Sequence, residues 1–305
     1  MDKANVSPTA PSCPSQSLAR VVEHARIARE TYRLRLEAPE LARSILPGQF
    51  VMIRPATGTD PLLGRPFAMY DIVRDDAGAA WALDVVYLVL GRGTAELARR
   101  RPGDRLSVWG PLGNGFGPPP RVSQADEGAP ISLVAGGIGQ TPFLALVKWW
   151  TRRERYGQEE SSHPPHPGPF RLDYGVRSHD LLAGVDDFLA CGVEVQIATD
   201  DGSIGHKGYV TDLLARRLDR GEPIGKVLGC GPSPMLASLA RLAQRYSLDC
   251  DVSLENHMAC GFGACFSCVA PIRQEDGSTD LKRVCVEGPV FPARRVVWET
   301  PSIGH

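Results

Sequence analysis

Four cysteines toward the end of the chain, Cys260, Cys265, Cys268 and Cys285, follow the spacing C-x4-C-x2-C with a distant fourth Cys. That is the plant-type arrangement for a 2Fe-2S cluster, so the chemistry it points to is the transfer of single electrons. Gly261, Gly263 and Ala264 let the backbone wrap closely there and turn N–H groups toward the sulfurs. Zinc more often takes symmetric C-x2-C pairs, and disulfides belong to oxidising compartments; both stay open as alternatives. The other cysteines, Cys13, Cys191, Cys230 and Cys250, share no ligand spacing.

Several glycine turns could seat phosphates. Gly136, Gly137 and Gly139 separate an apolar run from a helical pattern opening at Thr141-Pro142, and Gly229-Cys230-Gly231-Pro232 repeats the arrangement later. A helix N-terminus behind such a turn offers free N–H groups and a positive dipole end to a pyrophosphate. The alternative is a tight turn with no ligand. Gly91-Arg92-Gly93-Thr94 is a further anion seat of this kind, and Arg65, before the fixed φ of Pro66, can grip a phosphate in forked geometry. Phe67 and Tyr70 either flank a flat ring or pack into a core. Asp200 or Asp201 either bonds a ribose hydroxyl, which favours NAD over NADP, or starts the turn before Gly202.

The elements that must position these residues fall into three regimes. From about Arg20 to Gly115, short alternating or apolar runs broken by Pro-Gly turns predict an antiparallel sandwich or barrel. Between Ala129 and Leu248, strand-then-helix units predict a parallel, doubly wound sheet, with helices opening near Thr141, His179, Thr211 and Ser233. A polar stretch at 121–128 reads as a hinge, and the Pro-rich segment Arg152 to Gly168, with His163 and His166, as a solvated loop. Residues 251–293 form a cysteine module too small to fold without metal or a neighbour.

With 305 residues the chain is long enough for two or three domains. Its formal net charge of −1 gives no basic surplus for nucleic acid. No run reaches the length of a membrane span. Residues 1–18 read as a disordered tail and not a signal peptide, which makes the cytoplasm the expected compartment.

The order of these motifs resembles the ferredoxin reductase-like flavoproteins, most closely the electron transfer subunits of NAD-dependent dihydroorotate dehydrogenases. Arg65-Pro66, Gly91 to Thr94 and Gly110-Pro111-Leu112-Gly113-Asn114-Gly115-Phe116 are similar to that family's flavin motifs. Gly136 to Pro142 and Gly229 to Pro232 are similar to its nicotinamide motifs, and Cys260 to Cys268 followed by Cys285-x-Glu287-Gly288-Pro289-Val290-Phe291 to its cluster module. The resemblance implies a multidomain fold: an FAD-binding β-barrel at 19–122, an NAD-binding α/β domain at 128–248, a 2Fe-2S module at 251–293 and a tail at 294–305. It implies FAD contacts at Arg65, Pro66, Phe67, Ala68, Tyr70, Gly91, Gly93 and Thr94. It implies NAD contacts at Gly136, Gly137, Gly139, Thr141, Asp200, Cys230, Gly231 and Pro232. Ala68 departs from the family, which carries Ser or Thr there. The implied partner is a catalytic subunit holding FMN, in a heterotetramer, where dihydroorotate is oxidised; nothing in this sequence looks like a proton-abstracting site for a carbon acid. The rival functions are a reductase serving a hydrogenase, sulfide-linked or oxygenase system, and a non-enzymatic iron-sulfur scaffold.

Overall fold

The computed structural model describes residues 14–58, 60–120, 128–157, 163–166 and 168–298. Strands β1 (Ser15–Ala28), β2 (Thr31–Glu37), β3 (Phe50–Pro55), β4 (Arg65–Arg74), β5 (Ala80–Leu88) and β6 (Arg105–Leu112) close into a barrel in the order β1-β2-β5-β4-β3-β6. Closure decides between the sandwich and the barrel. Alternation sets the faces: Leu34 and Leu36 of β2 are buried, while the neighbouring Arg33 and Arg35 are not. Two short helices, α1 (Pro39–Ser44) and α2 (Arg92–Ala98), flank the strands.

The barrel needs more chain than the composition of the N-terminus suggests. The expected tail at 1–18 is corrected, because β1 begins at Ser15 and pairs with β6 from Ser15 opposite Gly110 to Arg20 opposite Arg105. Polar residues suffice there, since the ladder is made by backbone groups and the Gln16 amide donates to Ser107 Oγ at 2.9 Å. Residues 1–13, 121–127 of the expected hinge, and 299–305 lie outside the described residues.

The second body is a sheet in the order β10-β9-β8-β7-β11-β12-β15. Its elements are β7 (Ile131–Gly136), α3 (Thr141–Trp150), β8 (Phe170–Val176), α4 (Val185–Ala190), β9 (Glu194–Thr199), β10 (His206–Lys207), α5 (Val210–Asp219), β11 (Val227–Cys230), α6 (Ser233–Arg245), β12 (Cys250–Ser253) and β15 (Val290–Pro292). All pairs are parallel except β12 with β15. The chain runs outward from β7 through β8 and β9, then returns to β11 on the other side. The switch point therefore lies between β7 and β11, where the two glycine turns meet. The helix expected from His179 is only one turn, His179–Leu181, before α4 starts at Val185.

One buried ion pair ties this sheet to its helices. Arg217 of α5 donates to both oxygens of Asp173 on β8, at 2.8 and 2.5 Å, with both side chains essentially fully buried. Arg217→Ala strands the carboxylate in the core, so urea unfolding should show a loss of about 3–5 kcal/mol. A loss below about 1 kcal/mol would mean the pair contributes no more than a surface bridge.

The cysteine module is not a separate body. Its bounding strands β12 and β15 belong to the nucleotide sheet, and only the hairpin β13 (Val269–Arg273) and β14 (Thr279–Arg283) stands apart. The chain also stays packed past residue 293, which corrects the expected tail at 294–305: Val296 is buried and bridges to Ile272, and the Trp298 indole donates to the Ala293 carbonyl at 3.3 Å. In the expected solvated loop Arg152, Arg153, Arg155, Pro164 and Pro165 are exposed and residues 158–162 and 167 lie outside the described residues, but the expectation is corrected for His163 and His166, which are buried against Trp149 and Trp150. Among the described residues no helix is long and apolar enough to cross a membrane.

Candidate functional site

The phosphate motifs of the barrel converge in space. Arg65 opens β4, and Gly93 lies in the first turn of α2; a Cβ on Gly93 would come 3.1 Å from Arg65 Nε. Arg65 Nη1 donates to the carbonyls of Leu63 and Gly64 at 3.0 and 3.1 Å, and the rest of the guanidinium has no partner among the described residues. A glycine cradle beside a half-free guanidinium fits a pyrophosphate. Thr94 shapes the seat: its hydroxyl accepts the Leu90 and Gly91 N–H groups at 2.9 and 3.2 Å and donates to the Gly91 carbonyl.

Along β4 the aromatic residues turn to packing. Phe67 is buried edge-on against Tyr87, with ring centroids 5.6 Å apart. Tyr70 is buried too, and its hydroxyl donates to Asp187 of α4 at 2.5 Å, tying the barrel to the nucleotide sheet. Burial and then Asp187 hold that phenol far above its ordinary range. The next residue, Asp71, accepts the Tyr156 hydroxyl at 2.6 Å and pairs with Lys148 of α3. Pro66 and Ala68, on the opposite face of the strand from Phe67, stay half-open.

At the switch point the two glycine turns interlock. A Cβ on Gly139 would sit 2.2 Å from the Cys230 carbonyl oxygen, and one on Gly136 would sit 2.8 Å from Pro232 Cδ. Gly136, Gly139, Gly231 and Pro232 therefore let the ends of β7 and β11 close on each other, while Gly137 faces open space. Thr141 is buried at the start of α3. Cys230 is a buried thiol that burial and then the nearby Glu255 push up. Glu255 borders solvent, yet neighbouring groups crowd its carboxyl and that desolvation raises it. Asp201 accepts the Ser203 N–H at 2.8 Å and so belongs to the turn, leaving Asp200 exposed at the end of β9.

Cys260, Cys265 and Cys268 lie on the loop between β12 and β13, and Cys285 follows the end of β14. Cys265 is held down to about 6 by hydrogen bonds with Ser267 and with Cys260, and Ser267 Oγ lies 3.2 Å from its sulfur. Cys285 is pushed up to about 12 by burial and by a hydrogen bond with Cys268. Cys268 and Cys285 are buried, whereas Cys265 is exposed. Among the described residues no three His, Cys, Asp or Glu side chains converge on one mononuclear point. It is the spacing of the four thiols that suits a 2Fe-2S cluster better than a single zinc, which more often takes symmetric pairs. The wrap around the first three cysteines is tight: Gly261 has φ +82° and a Cβ there would lie 2.6 Å from Met52 Cγ, and Phe266 adopts φ +57°. Arg283 pairs with Glu287 at 2.8 Å, donates to the Gly263 carbonyl at 3.2 Å and lies 5.0 Å over the Phe266 ring.

Three contributors escape sequence reasoning. Trp109 of β6 donates its indole N–H to the Cys260 carbonyl at 2.8 Å. Asn114 donates to the Glu287 and Val290 carbonyls at 3.1 and 3.2 Å and accepts the Val290 N–H at 3.0 Å. Gln140 is fully buried at the switch point, and neither of its amide atoms has a partner among the described residues. Asn114 and Gln140 had a sequence signal in their places within the Gly-Pro-Leu-Gly-x-Gly-Phe run and the Gly136 to Pro142 run, and Trp109 had none.

A family model described as the iron-sulfur cluster binding domain of dihydroorotate dehydrogenase B matches residues 255–297. A protein of Desulforamulus reducens described as dihydroorotate dehydrogenase B (NAD(+)), electron transfer subunit, is 36% identical over 281 residues, covering 92% of this chain and 98% of the relative. One of the same description from Bacillus caldolyticus is 38% identical over 278 residues, covering 91% and 96%. Among solved structures, an NADH-dependent reduced ferredoxin-NADP oxidoreductase studied for flavin-based electron bifurcation matches with TM-score 0.73 and 26% identity over 92% of this chain and 90% of that one. An Amycolatopsis cytochrome P450 reductase shares the fold with TM-score 0.57 and 23% identity, over 76% of this chain and 66% of that one.

Proposed function

Because the chain belongs to the family of electron transfer subunits of NAD-dependent dihydroorotate dehydrogenase B, we propose that it passes electrons from a dihydroorotate-oxidising partner to NAD in pyrimidine biosynthesis. The observation that carries this reading is the loop bearing Cys260, Cys265 and Cys268, which docks through the Cys260 carbonyl and Gly261 on the barrel that holds Arg65 and Gly93. When bound, FAD exchanges a hydride with NAD and single electrons with a 2Fe-2S cluster, which is what lets a two-electron and a one-electron carrier share one chain. Arg65 and the turn at Gly91 to Thr94 hold the flavin pyrophosphate, and Pro66 and Ala68 face its ring. Gly137 and the N-terminal end of α3 receive the nicotinamide nucleotide, with Asp200 on its ribose and Cys230 beside its ring. Cys260, Cys265, Cys268 and Cys285 are the cluster ligands.

With a methyl group in place of a hydroxyl at Ala68, that position offers only its backbone to the flavin. The partner is a catalytic subunit with its own FMN, in a heterotetramer, and the thiol ligation supports a cytoplasmic enzyme. Purified chain should contain FAD and about one 2Fe-2S cluster per chain. NADH should bleach the flavin rapidly and the cluster after it, and the chain should copurify with the dihydroorotate-oxidising subunit. Zinc in place of iron and acid-labile sulfide would overturn the cofactor assignment, and capture of an unrelated redox enzyme would redirect the partner.

A further inference from the structure

We propose that Trp109 is a positioning residue that locks the iron-sulfur loop against the flavin-binding strand and so fixes the path between the two redox centres. This rests on the cofactor assignment above. Trp109 follows the buried Val108 on β6, so alternation turns its side chain to the outer face of the barrel. There its N–H reaches the carbonyl of Cys260, the first ligand, at 2.8 Å across 151 residues of sequence. The other edge of the ring meets Gly64, where a Cβ would lie 2.4 Å from Trp109 Cη2. Gly64 directly precedes Arg65. One indole thus touches both the residue that introduces the flavin strand and the backbone of a cluster ligand.

The neighbourhood makes the contact rigid. Met52 and Leu112, also on the barrel exterior, lie under Gly261, next to Cys260. Past the end of β6, Asn114 clamps the backbone at Glu287 and Val290, just beyond the fourth ligand Cys285. Both ends of the ligand set are therefore fastened to one strand and its exit loop. Electron transfer weakens steeply with separation, and hydrogen bonding around a ligand tunes a cluster. A link that fixes both has a use beyond general stability.

Trp109→Phe keeps the ring and removes only the N–H. The variant should retain full FAD and iron, release iron to a chelator about fivefold faster, the weight of one net hydrogen bond, and show an altered EPR spectrum of the reduced cluster. On mixing with NADH, its cluster should bleach more slowly relative to its flavin. Gly64→Ala pushes on the same ring from the flavin side and should give the same changes, which keeps the test open if Trp109→Phe fails to fold. Trp150→Phe removes an indole bond to the Gly117 carbonyl, 3.0 Å long and in another part of the chain. It should lower thermal stability without altering the EPR spectrum or iron release. Unchanged release and EPR spectra in a fully loaded Trp109→Phe or Gly64→Ala protein, or the same changes in Trp150→Phe, would overturn the proposal. Wild-type chain lacking iron or FAD would instead overturn the cofactor assignment.

Discussion

Replacing Cys265 by Ala should abolish the cluster and cut dihydroorotate-to-NAD turnover of the assembled enzyme at least about 100-fold. NADH-to-dye turnover by the chain alone should stay within about twofold, because the flavin and nicotinamide seats share no partner with Cys265. The structure also limits how much of the fold is lost. Cluster binding and local folding are coupled, yet β12 and β15 stay hydrogen-bonded into the nucleotide sheet and Asn114 still holds the backbone near Val290. Loosening should be confined to the loop of residues 256–268 and the β13–β14 hairpin, visible as new protease cuts there and nowhere in the barrel. Iron and sulfide analysis, the visible spectrum and the two turnover assays check this. Dye reduction falling in step with iron would mean that electrons reach the dye through the cluster.

The parts of the site legible in the sequence are those whose chemistry is local. The spacing of Cys260, Cys265 and Cys268 carries its own meaning, because one tight wrap brings the thiols together. The barrel and the parallel sheet were readable in the same way, from alternation and from strand-helix rhythm. Contacts made across long separations were not readable. Trp109 looks like one more residue of an amphipathic strand until a loop 151 residues later docks on it. Phe67 and Tyr70 are as suited to a flavin face as to a core, and only the structure shows the Tyr87 ring and the Asp187 carboxylate beside them. His163 and His166 sit in a Pro-rich text that suggests solvent, but two tryptophans of α3 cover them. Ser15 to Leu18 read as tail because composition is silent about a backbone ladder.

Phe262→Glu should weaken binding to the dihydroorotate-oxidising subunit at least about 30-fold, the effect of losing a central aromatic anchor. A one-electron centre serves only if another redox site comes close, so the loop around the cluster must meet the partner. Its side chains are arranged for that. Gly261 faces inward onto Met52 and Leu112, while Phe262 is 56% exposed, Phe266 61% and Val286 41%. Both rings stand at the surface beside the exposed Cys265. Phe266 is further held by Arg283, so its ring is pre-ordered and little entropy is lost when it is covered. Interface cores favour aromatic anchors and exclude charge, and a carboxylate at position 262 would have to be desolvated without a partner. Titration of the partner subunit by calorimetry, with dihydroorotate-to-NAD and NADH-to-dye turnover measured in parallel, separates the outcomes. Affinity and coupled turnover should fall together while dye reduction stays within about twofold. Loss of dye reduction as well would mean Phe262 supports the chain's own fold, and unchanged affinity would place the partner on another face.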